Sequence, residues 1–206
     1  MKIWLIKYGE PLNIFEKNRE YRMSMLANEL INNDENEVVY WTGTFEHNTK
    51  KQIFNKSTFI NKKSNYKIQL LFHPKYKKNF SLRRIFSIFY LSVSIFIKMM
   101  KSEKPDVLVV SYPFTELVLS SLLYSRIKSV KLIIDVRDLW PDATYYSLSR
   151  IKKIFFYPFF IFYRVWFSVI VNNAKNIISI SDGFRDWTLT FLKRNRSHNY
   201  QVIPIG

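Results

Sequence analysis

Two short, continuous runs of aliphatic residues constrain the fold of this chain most strongly. They are Val107-Leu108-Val109-Val110 and Lys131-Leu132-Ile133-Ile134-Asp135-Val136. A strand with one face in water alternates apolar and polar residues, whereas a strand covered on both faces is apolar almost throughout. The two runs therefore predict central strands of a parallel sheet that lies between two layers of helices.

Other strand-like and helix-like segments alternate along the chain, as they do in βαβ units. The predicted strands are 3–8, 37–42, 67–72, 106–111, 130–136, 176–181 and 200–204. The predicted helices are 19–32, 82–103, 114–127, 150–174 and 183–195. Residues 43–65 are rich in Asn, Lys, Thr and Ser and are predicted to form a mobile loop. With 206 residues, the chain is predicted to be α/β, a Rossmann-like parallel sheet flanked by helices in one domain.

The composition excludes several kinds of chemistry. The chain has no cysteine and three scattered histidines, so disulfides, thiolate nucleophiles and a metal site are not expected. The apolar run at the N-terminus is too short for a secretory signal, which favours a cytoplasmic location. The net charge of +16 attracts nucleic acid, anionic lipid or phosphorylated substrates, although many of these lysines could also form an ordinary solvated surface.

One segment is far more distinctive than the rest. It is Asp135-Val136-Arg137-Asp138-Leu139-Trp140-Pro141-Asp142, directly after a predicted strand. The segments that accompany it are Arg19-Glu20-Tyr21-Arg22, Val38-Val39-Tyr40-Trp41-Thr42, Tyr76-Lys77-Lys78-Asn79, Ser81-Leu82-Arg83-Arg84 and Val202-Ile203-Pro204-Ile205-Gly206. Together they resemble the N-terminal domain of retaining glycosyltransferases of family 4, which have the GT-B fold, and in particular the lipopolysaccharide and capsule group with an Asp-x-Arg-Asp-Leu-Trp-Pro signature.

The resemblance covers nearly the whole chain and implies a function. Residues 1–206 correspond to the acceptor-side domain, and the donor-binding domain, with most contacts to the nucleotide-sugar, is not among them. The implied reaction transfers a sugar, with retention, from a nucleotide-sugar to a lipid-linked or polysaccharide acceptor in cell-surface polysaccharide biosynthesis. The nucleotide-sugar is a substrate, and no cofactor is expected. Such a hexosyltransferase half is expected to be inactive without its donor-binding domain, which a separate subunit could supply.

Arg137 and Asp138 are the predicted catalytic residues. Ligands of open parallel sheets bind beyond the carboxyl ends of the strands, which is where these two residues lie. The Arg137 guanidinium suits phosphate or sugar hydroxyls, and the Asp138 carboxylate accepts hydrogen bonds. The alternative is structural, with Asp135 and Asp138 capping the following segment and Arg137 pairing with them.

The predicted substrate-binding residues are Gly9, Glu10, Arg19, Arg22, Asp135 and Ser181. Gly9 allows the backbone to approach a ligand or merely forms a turn, and this loop departs from the family in having a single glycine. Glu10 is either a hydroxyl acceptor or a loop residue. Arg19 and Arg22 lie three residues apart, on one face of a helix start that could bind an acceptor phosphate. Ser181 ends a strand and is either a cleft residue or a helix N-cap.

Residues 154–171 contain one charge and are nearly long enough to span a bilayer. Pro158 and Arg164 make spanning unfavourable. Because its polar residues form one stripe opposite an aromatic face, the helix could instead lie in the headgroup region of an anionic membrane, on the inner face of the plasma membrane. Residues 82–101 have a similar layout. The alternative is that both helices simply pack on the sheet.

A different class of function stays open. The chain could be a non-catalytic basic domain that binds membrane or nucleic acid. Its charges are dispersed over several predicted helices and form no known nucleic-acid reader motif, so nucleic acid is not an expected partner.

Overall fold

The computed structural model describes residues 1–11, 20–79, 81–193 and 199–204. The strands are β1 (Lys2–Ile6), β2 (Glu37–Gly43), β3 (Phe45–Glu46), β4 (Lys51–Gln52), β5 (Thr58–Lys63), β6 (Tyr66–Leu71), β7 (Val107–Tyr112), β8 (Lys131–Val136), β9 (Asn176–Ser179) and β10 (Asn199–Val202). The helices are α1 (Arg22–Leu30), α2 (Leu82–Met100), α3 (Thr115–Lys128), α4 (Asp142–Ser147), α5 (Arg150–Asn173) and α6 (Asp182–Leu189).

One eight-stranded sheet forms the centre of the domain, in the order β10-β9-β8-β7-β1-β2-β6-β5. Its neighbouring strands are parallel except for β5, which runs antiparallel to β6. Each of the two aliphatic runs is an interior strand, β7 or β8, with a neighbour on both sides. The predicted α/β fold, a single domain with a largely parallel sheet, is therefore confirmed.

The prediction of a mobile loop over 43–65 is wrong. That segment contains the β3–β4 hairpin and then β5, which pairs with β6 from Thr58 to Lys63. Most β5 side chains are exposed, as is usual for an edge strand that must not attract another chain. Because β5 is rich in polar residues, its sequence resembles a loop. Its hydrogen bonds come from the neighbouring β6, and this pairing is seen only in the structure.

The sheet separates two apolar clusters. In β1, Trp4 and Ile6 face the cluster covered by α2, α3, α5 and α6, whereas Ile3 and Leu5 face the smaller cluster under α1. The same alternation holds in β8, where Ile134 joins the larger cluster and Ile133 borders the smaller one. Alternate residues at a strand end therefore point into different layers.

Helices α2 and α5 cover the sheet with one stripe each and leave a second apolar stripe outside. Ser81 caps α2 by accepting a hydrogen bond from the Arg84 backbone N–H at 3.2 Å. The buried side of α5 includes Phe160, Tyr163, Phe167, Ile170 and Val171, spaced three or four residues apart. Exposed apolar residues on the two helices include Leu82 (77% exposed) and Phe155 (78% exposed).

By length and composition alone, α5 could cross a membrane, and 28% of its most apolar window is buried within the fold. It packs against α3 and α4. Its Arg164 forms an ion pair with Asp142 of α4 at 2.6 Å, and Ser168 donates a hydrogen bond to the Phe191 carbonyl at 3.3 Å. Part of the predicted polar stripe thus contacts the protein, while much of the aromatic stripe faces outward.

Candidate functional site

Two buried carboxylates meet partly buried basic side chains where β1 and β8 end. These strands flank β7 and run in the same direction, so their carboxyl ends lie at one edge of the sheet. The Arg137 guanidinium lies 3.2 Å from the Glu10 carboxylate and 3.9 Å from that of Asp135. A second arginine, Arg22, lies 3.6 Å from Asp135. We call Lys7, Glu10, Arg22, Asp135 and Arg137 the charge cluster.

Glu10 connects three parts of the chain. Its Oε1 accepts hydrogen bonds from the backbone N–H groups of Met23 at 2.9 Å and Ser24 at 3.3 Å, so it caps the N-terminus of α1. Its Oε2 accepts from Arg137. The loop interpretation of Glu10 therefore has a geometric basis, and substrate binding by this residue stays a prediction.

Asp135 belongs to β8 and lies on the α1 side of the sheet, because it alternates with residues that face the larger cluster. Its side chain is 3% exposed, and its Oδ1 has no hydrogen-bond partner among the residues that the structure describes. Burial raises the pKa of Asp135, while Arg137, Arg22 and Lys7 act in the opposite direction. Arg22 also donates to the Pro204 carbonyl at 2.8 Å, which brings the end of the described chain to this cluster.

Lys7 is a member that sequence analysis missed. It follows β1 directly, and burial lowers its pKa to about 8, helped by the nearby Arg137 and opposed by the carboxylates of Glu10, Asp135 and Asp138. A lysine one residue past a strand is common, so no sequence signal distinguished it. Only the pairing of β1 and β8 with β7 places it among these groups.

Gly9 has a positive φ of 81°, a conformation that residues with a side chain rarely adopt. A Cβ atom added there would lie 3.4 Å from the Phe114 ring, which is ordinary contact. The backbone conformation therefore requires glycine more than the available space does. This explains Gly9 as a turn residue and leaves its predicted role in ligand approach untested.

Asp138 lies apart from the ion pairs of the charge cluster. Burial raises the pKa of its carboxyl, while Lys7 and the backbone N–H groups of Leu139 and Trp140 act in the opposite direction. It lines a cavity of about 470 Å³, which we call the polar cavity. The polar and aromatic residues around it include His47, Asn79, Arg84, Glu116, Trp140 and Tyr163.

Two cavity residues, Arg84 and His47, were not predicted as site residues. Arg84 donates a hydrogen bond to the Asn79 carbonyl at 2.6 Å and lies over the Phe114 ring, 6.0 Å from its centroid. His47 Nδ1 is 2.6 Å from the Tyr76 hydroxyl, which is 2.9 Å from the buried Tyr8 hydroxyl. Burial, with Lys50 and Arg84 nearby, lowers the pKa of His47 to about 4, so its ring is neutral at pH 7.

The structure thus distributes the predicted site residues unevenly. It brings Glu10, Arg22, Asp135 and Arg137 together and places Asp138 in the adjoining cavity. Ser181 is exposed at the N-cap of α6, and within the described part of the chain its side chain makes no capping hydrogen bond. Arg19 lies outside the described residues. Within the described ranges, no group of three or more His, Asp or Glu side chains is placed to hold a metal ion.

Comparisons with known proteins show a similarity in fold and none in sequence family. No family model matches the chain, and no curated protein matches it. A structure of sucrose-phosphate synthase from Thermosynechococcus elongatus matches with a TM-score of 0.57 and 12% identity, covering 100% of this chain and 90% of that one. UGT89C1 from Arabidopsis thaliana matches with a TM-score of 0.54 and 11% identity over 100% of this chain. A complex of that protein with UDP gives a TM-score of 0.53 at 11% identity over 98% of this chain.

This chain spans only about half of UGT89C1, 51% in one structure and 52% in the other. At such low identity the agreement concerns the path of the backbone, since few side chains are shared. The described domain has the fold of one half of a GT-B glycosyltransferase, with its charge cluster and polar cavity at the carboxyl edge of the parallel sheet.

Proposed function

We propose that this chain is the acceptor-side half of a glycosyltransferase that takes a sugar from a nucleotide-sugar donor. The observation that carries the proposal is the position of the polar cavity. It lies beside Asp138, at the edge of the sheet where open α/β folds bind ligands. The resemblance to family 4 supports a retaining hexosyltransferase of cell-surface polysaccharide biosynthesis, with a lipid-linked or polysaccharide acceptor.

In this proposal the charge cluster and the cavity have different tasks. Asp138 accepts a hydrogen bond from a hydroxyl of the sugar acceptor and so orients that hydroxyl. In a reaction governed by positioning, this orientation accounts for much of the lowering of the activation barrier. Arg137 is a positioning residue, because its ion pairs with Glu10 and Asp135 fix the loop after β1 and the start of α1. Most stabilisation of the leaving phosphate comes from a second domain or subunit.

The exposed apolar residues of α5 that include Ile151, Ile154 and Phe155 support peripheral binding to the cytoplasmic face of a membrane. The net charge of +16 adds attraction to anionic headgroups. A surface that binds nucleic acid would present clustered cations. The exposed faces of α2 and α5 present aromatic and aliphatic groups instead. A non-catalytic membrane-binding domain would have the same exposed surface. Only a measurement of sugar transfer distinguishes it from the proposed glycosyltransferase.

A transfer assay with the full natural protein tests the proposal. Labelled nucleotide-sugars are incubated with lipid-linked and polysaccharide acceptors, and kcat and KM are measured for the wild type and for Asp138→Asn. We expect kcat/KM to fall at least tenfold, since a charged carboxylate that accepts strongly is replaced by an amide with one neutral acceptor and a competing donor. Asp186→Asn, at an exposed ion pair of α6, is the matched control and should retain activity.

For Arg137, the lysine variant separates positioning from direct contact. Arg137→Lys keeps the charge but not the fork, so a positioning role predicts a raised KM for the acceptor and little change in kcat. Transfer by none of the donors tested, or unchanged kcat/KM in Asp138→Asn, would contradict the proposed function. A salt-sensitive shift of labelled DNA without any transfer would favour a binding domain instead.

A further inference from the structure

A second, larger cavity adjoins the polar cavity. It has a volume of about 940 Å³ and lies between α2, α3 and α5, and we call it the apolar groove. Phe86, Phe89, Val93, Leu119, Phe162 and Trp166 are among its walls. This volume is near the upper end of the range of about 300–1,000 Å³ that is typical of small-molecule sites.

The groove and the polar cavity share a wall. Leu82, Ile85, Glu116, Phe159 and Tyr163 line both. At this junction the Tyr163 hydroxyl donates to Glu116 at 3.0 Å. The two cavities therefore lie side by side, and the lining changes from mainly aromatic and aliphatic side chains in the apolar groove to one that also includes Arg84, Asp138 and His47 in the polar cavity.

This change in polarity indicates a ligand that has an apolar part and a polar part. An apolar chain would fill the groove, and Arg84 would face an anionic group where the chain meets its head. Glu116 and Asp138 are hydrogen-bond acceptors suited to hydroxyls farther along. A partner helix fits less well, since a helix is about 10 Å across and 940 Å³ would hold only roughly two turns of it.

We propose that the apolar groove binds the hydrocarbon chain of a lipid phosphate, with the phosphate beside Arg84 and its attached sugar in the polar cavity. The role as an acceptor rests on the proposed function, but chain binding does not. The groove differs from the outer apolar surface, which includes Ile151, Ile154 and Phe155 and lines neither cavity. These two surfaces are separable by mutation.

Calorimetry with dodecyl phosphate, below its micellar concentration, tests groove binding without any sugar chemistry. Dodecanol, hexyl phosphate and inorganic phosphate are the comparison probes. We expect dodecyl phosphate to bind at least tenfold more tightly than hexyl phosphate, because each buried CH₂ contributes about 0.8 kcal/mol. Equal affinity for the two chain lengths would overturn the inference.

Variants then test where the hydrocarbon chain and the phosphate of the probe bind. Ser120→Phe on α3 and Val93→Phe on α2 add bulk to the groove from two of the helices that line it, and each should weaken dodecyl phosphate binding at least tenfold. Arg84→Gln should remove the preference for dodecyl phosphate over dodecanol. Retained circular dichroism and melting temperature show that each variant folds, and unchanged binding in both groove variants contradicts the proposal.

The outer surface supplies the matched control. Phe155→Ser should weaken co-sedimentation with phosphatidylglycerol vesicles and leave dodecyl phosphate binding within twofold of the wild type. Equal losses of dodecyl phosphate binding in Phe155→Ser and Ser120→Phe would show adsorption to an apolar surface, which overturns the groove assignment.

The two proposals fail in different ways. Groove binding without sugar transfer to any acceptor would contradict the proposed function alone. Transfer that is equally efficient to short-chain and long-chain acceptors, and insensitive to Ser120→Phe, would contradict the groove alone.

Discussion

The charge cluster and the apolar groove depart from the usual distribution of residues in opposite ways. The cluster buries charges, which are normally exposed, and the groove exposes aromatic and aliphatic groups, which are normally buried. Buried charges persist here because each carboxylate of Glu10 and Asp135 has an arginine within 4 Å. The exposed apolar walls have no comparable partner among the described residues, and this is why a ligand is the better explanation for them.

The largest change in the free energy of unfolding is expected when one charge of the charge cluster is removed. Arg137→Gln leaves Glu10 and Asp135 buried without their shared partner, and we expect it to lower the free energy of unfolding by about 3–5 kcal/mol. Urea denaturation at pH 7 measures this. Arg185→Gln, which breaks exposed pairs with Asp182 and Asp186, should leave the urea midpoint close to that of the wild type. Similar losses in the two variants would show that the cluster is solvated like a surface pair.

The pH dependence of Lys7 tests burial of the cluster in a second way. Its folded pKa of about 8 lies below the ordinary 10.5, so the unfolded chain binds more protons between these values and stability from this group rises with pH. Relative to Lys7→Met, the wild type should gain up to about 3 kcal/mol between pH 8 and 10.5. This is an upper limit because Lys7 retains some solvent contact. A difference that is flat across this range in urea titrations would show that Lys7 is not desolvated.

Gly9 lies between the charge cluster and the polar cavity, since its loop follows β1 and the adjacent Tyr8 packs against Phe114 in the lining of that cavity. Gly9→Ala should destabilise the domain by about 1–2 kcal/mol through its positive φ. If conformation is its only role, Gly9→Ala should lower the melting temperature without altering KM for the donor or the acceptor of the proposed transfer reaction. A large rise in KM at unchanged stability would restore the ligand-approach role.

The smallest effect on stability is expected at the outer apolar surface. Ile154→Ser and Phe155→Ser remove side chains that are 73% and 78% exposed, so the free energy of unfolding should change by less than about 0.5 kcal/mol. The same variants should reduce vesicle binding. A loss of several kcal/mol in urea denaturation would mean that a part of the protein covers this surface.

Much of the fold could be predicted from patterns along the chain. The aliphatic runs of β7 and β8 are apolar because helices cover both faces of those strands, and seven predicted strands correspond to strands of the sheet. The edge strand β5 was missed because half of its surface faces water and its residues resemble a loop. The short helix α4 was missed for a related reason, since six residues carry too little periodicity to recognise.

The site was only partly predictable. The Asp135–Asp142 segment pointed to the end of β8, and the structure places the predicted residues Glu10 and Arg22 there as well, while their role in a site stays a prediction. Arg137 and Asp138 were treated as a pair, yet Arg137 forms ion pairs within the charge cluster and Asp138 lines the polar cavity. Arg84 and His47 belong to segments far away along the chain, and no spacing rule connects them with β8.

The sequence by itself determined the layers of this domain, because hydrophobic periodicity is local and each strand or helix carries its own pattern. Only the tertiary structure decided which charged groups meet and which apolar groups are left uncovered. Both outcomes depend on strand order, which sets β1 and β8 on either side of β7, and on the angles at which α2, α3 and α5 pack. Those are relations between distant segments, and ion pairing and groove shape follow from them.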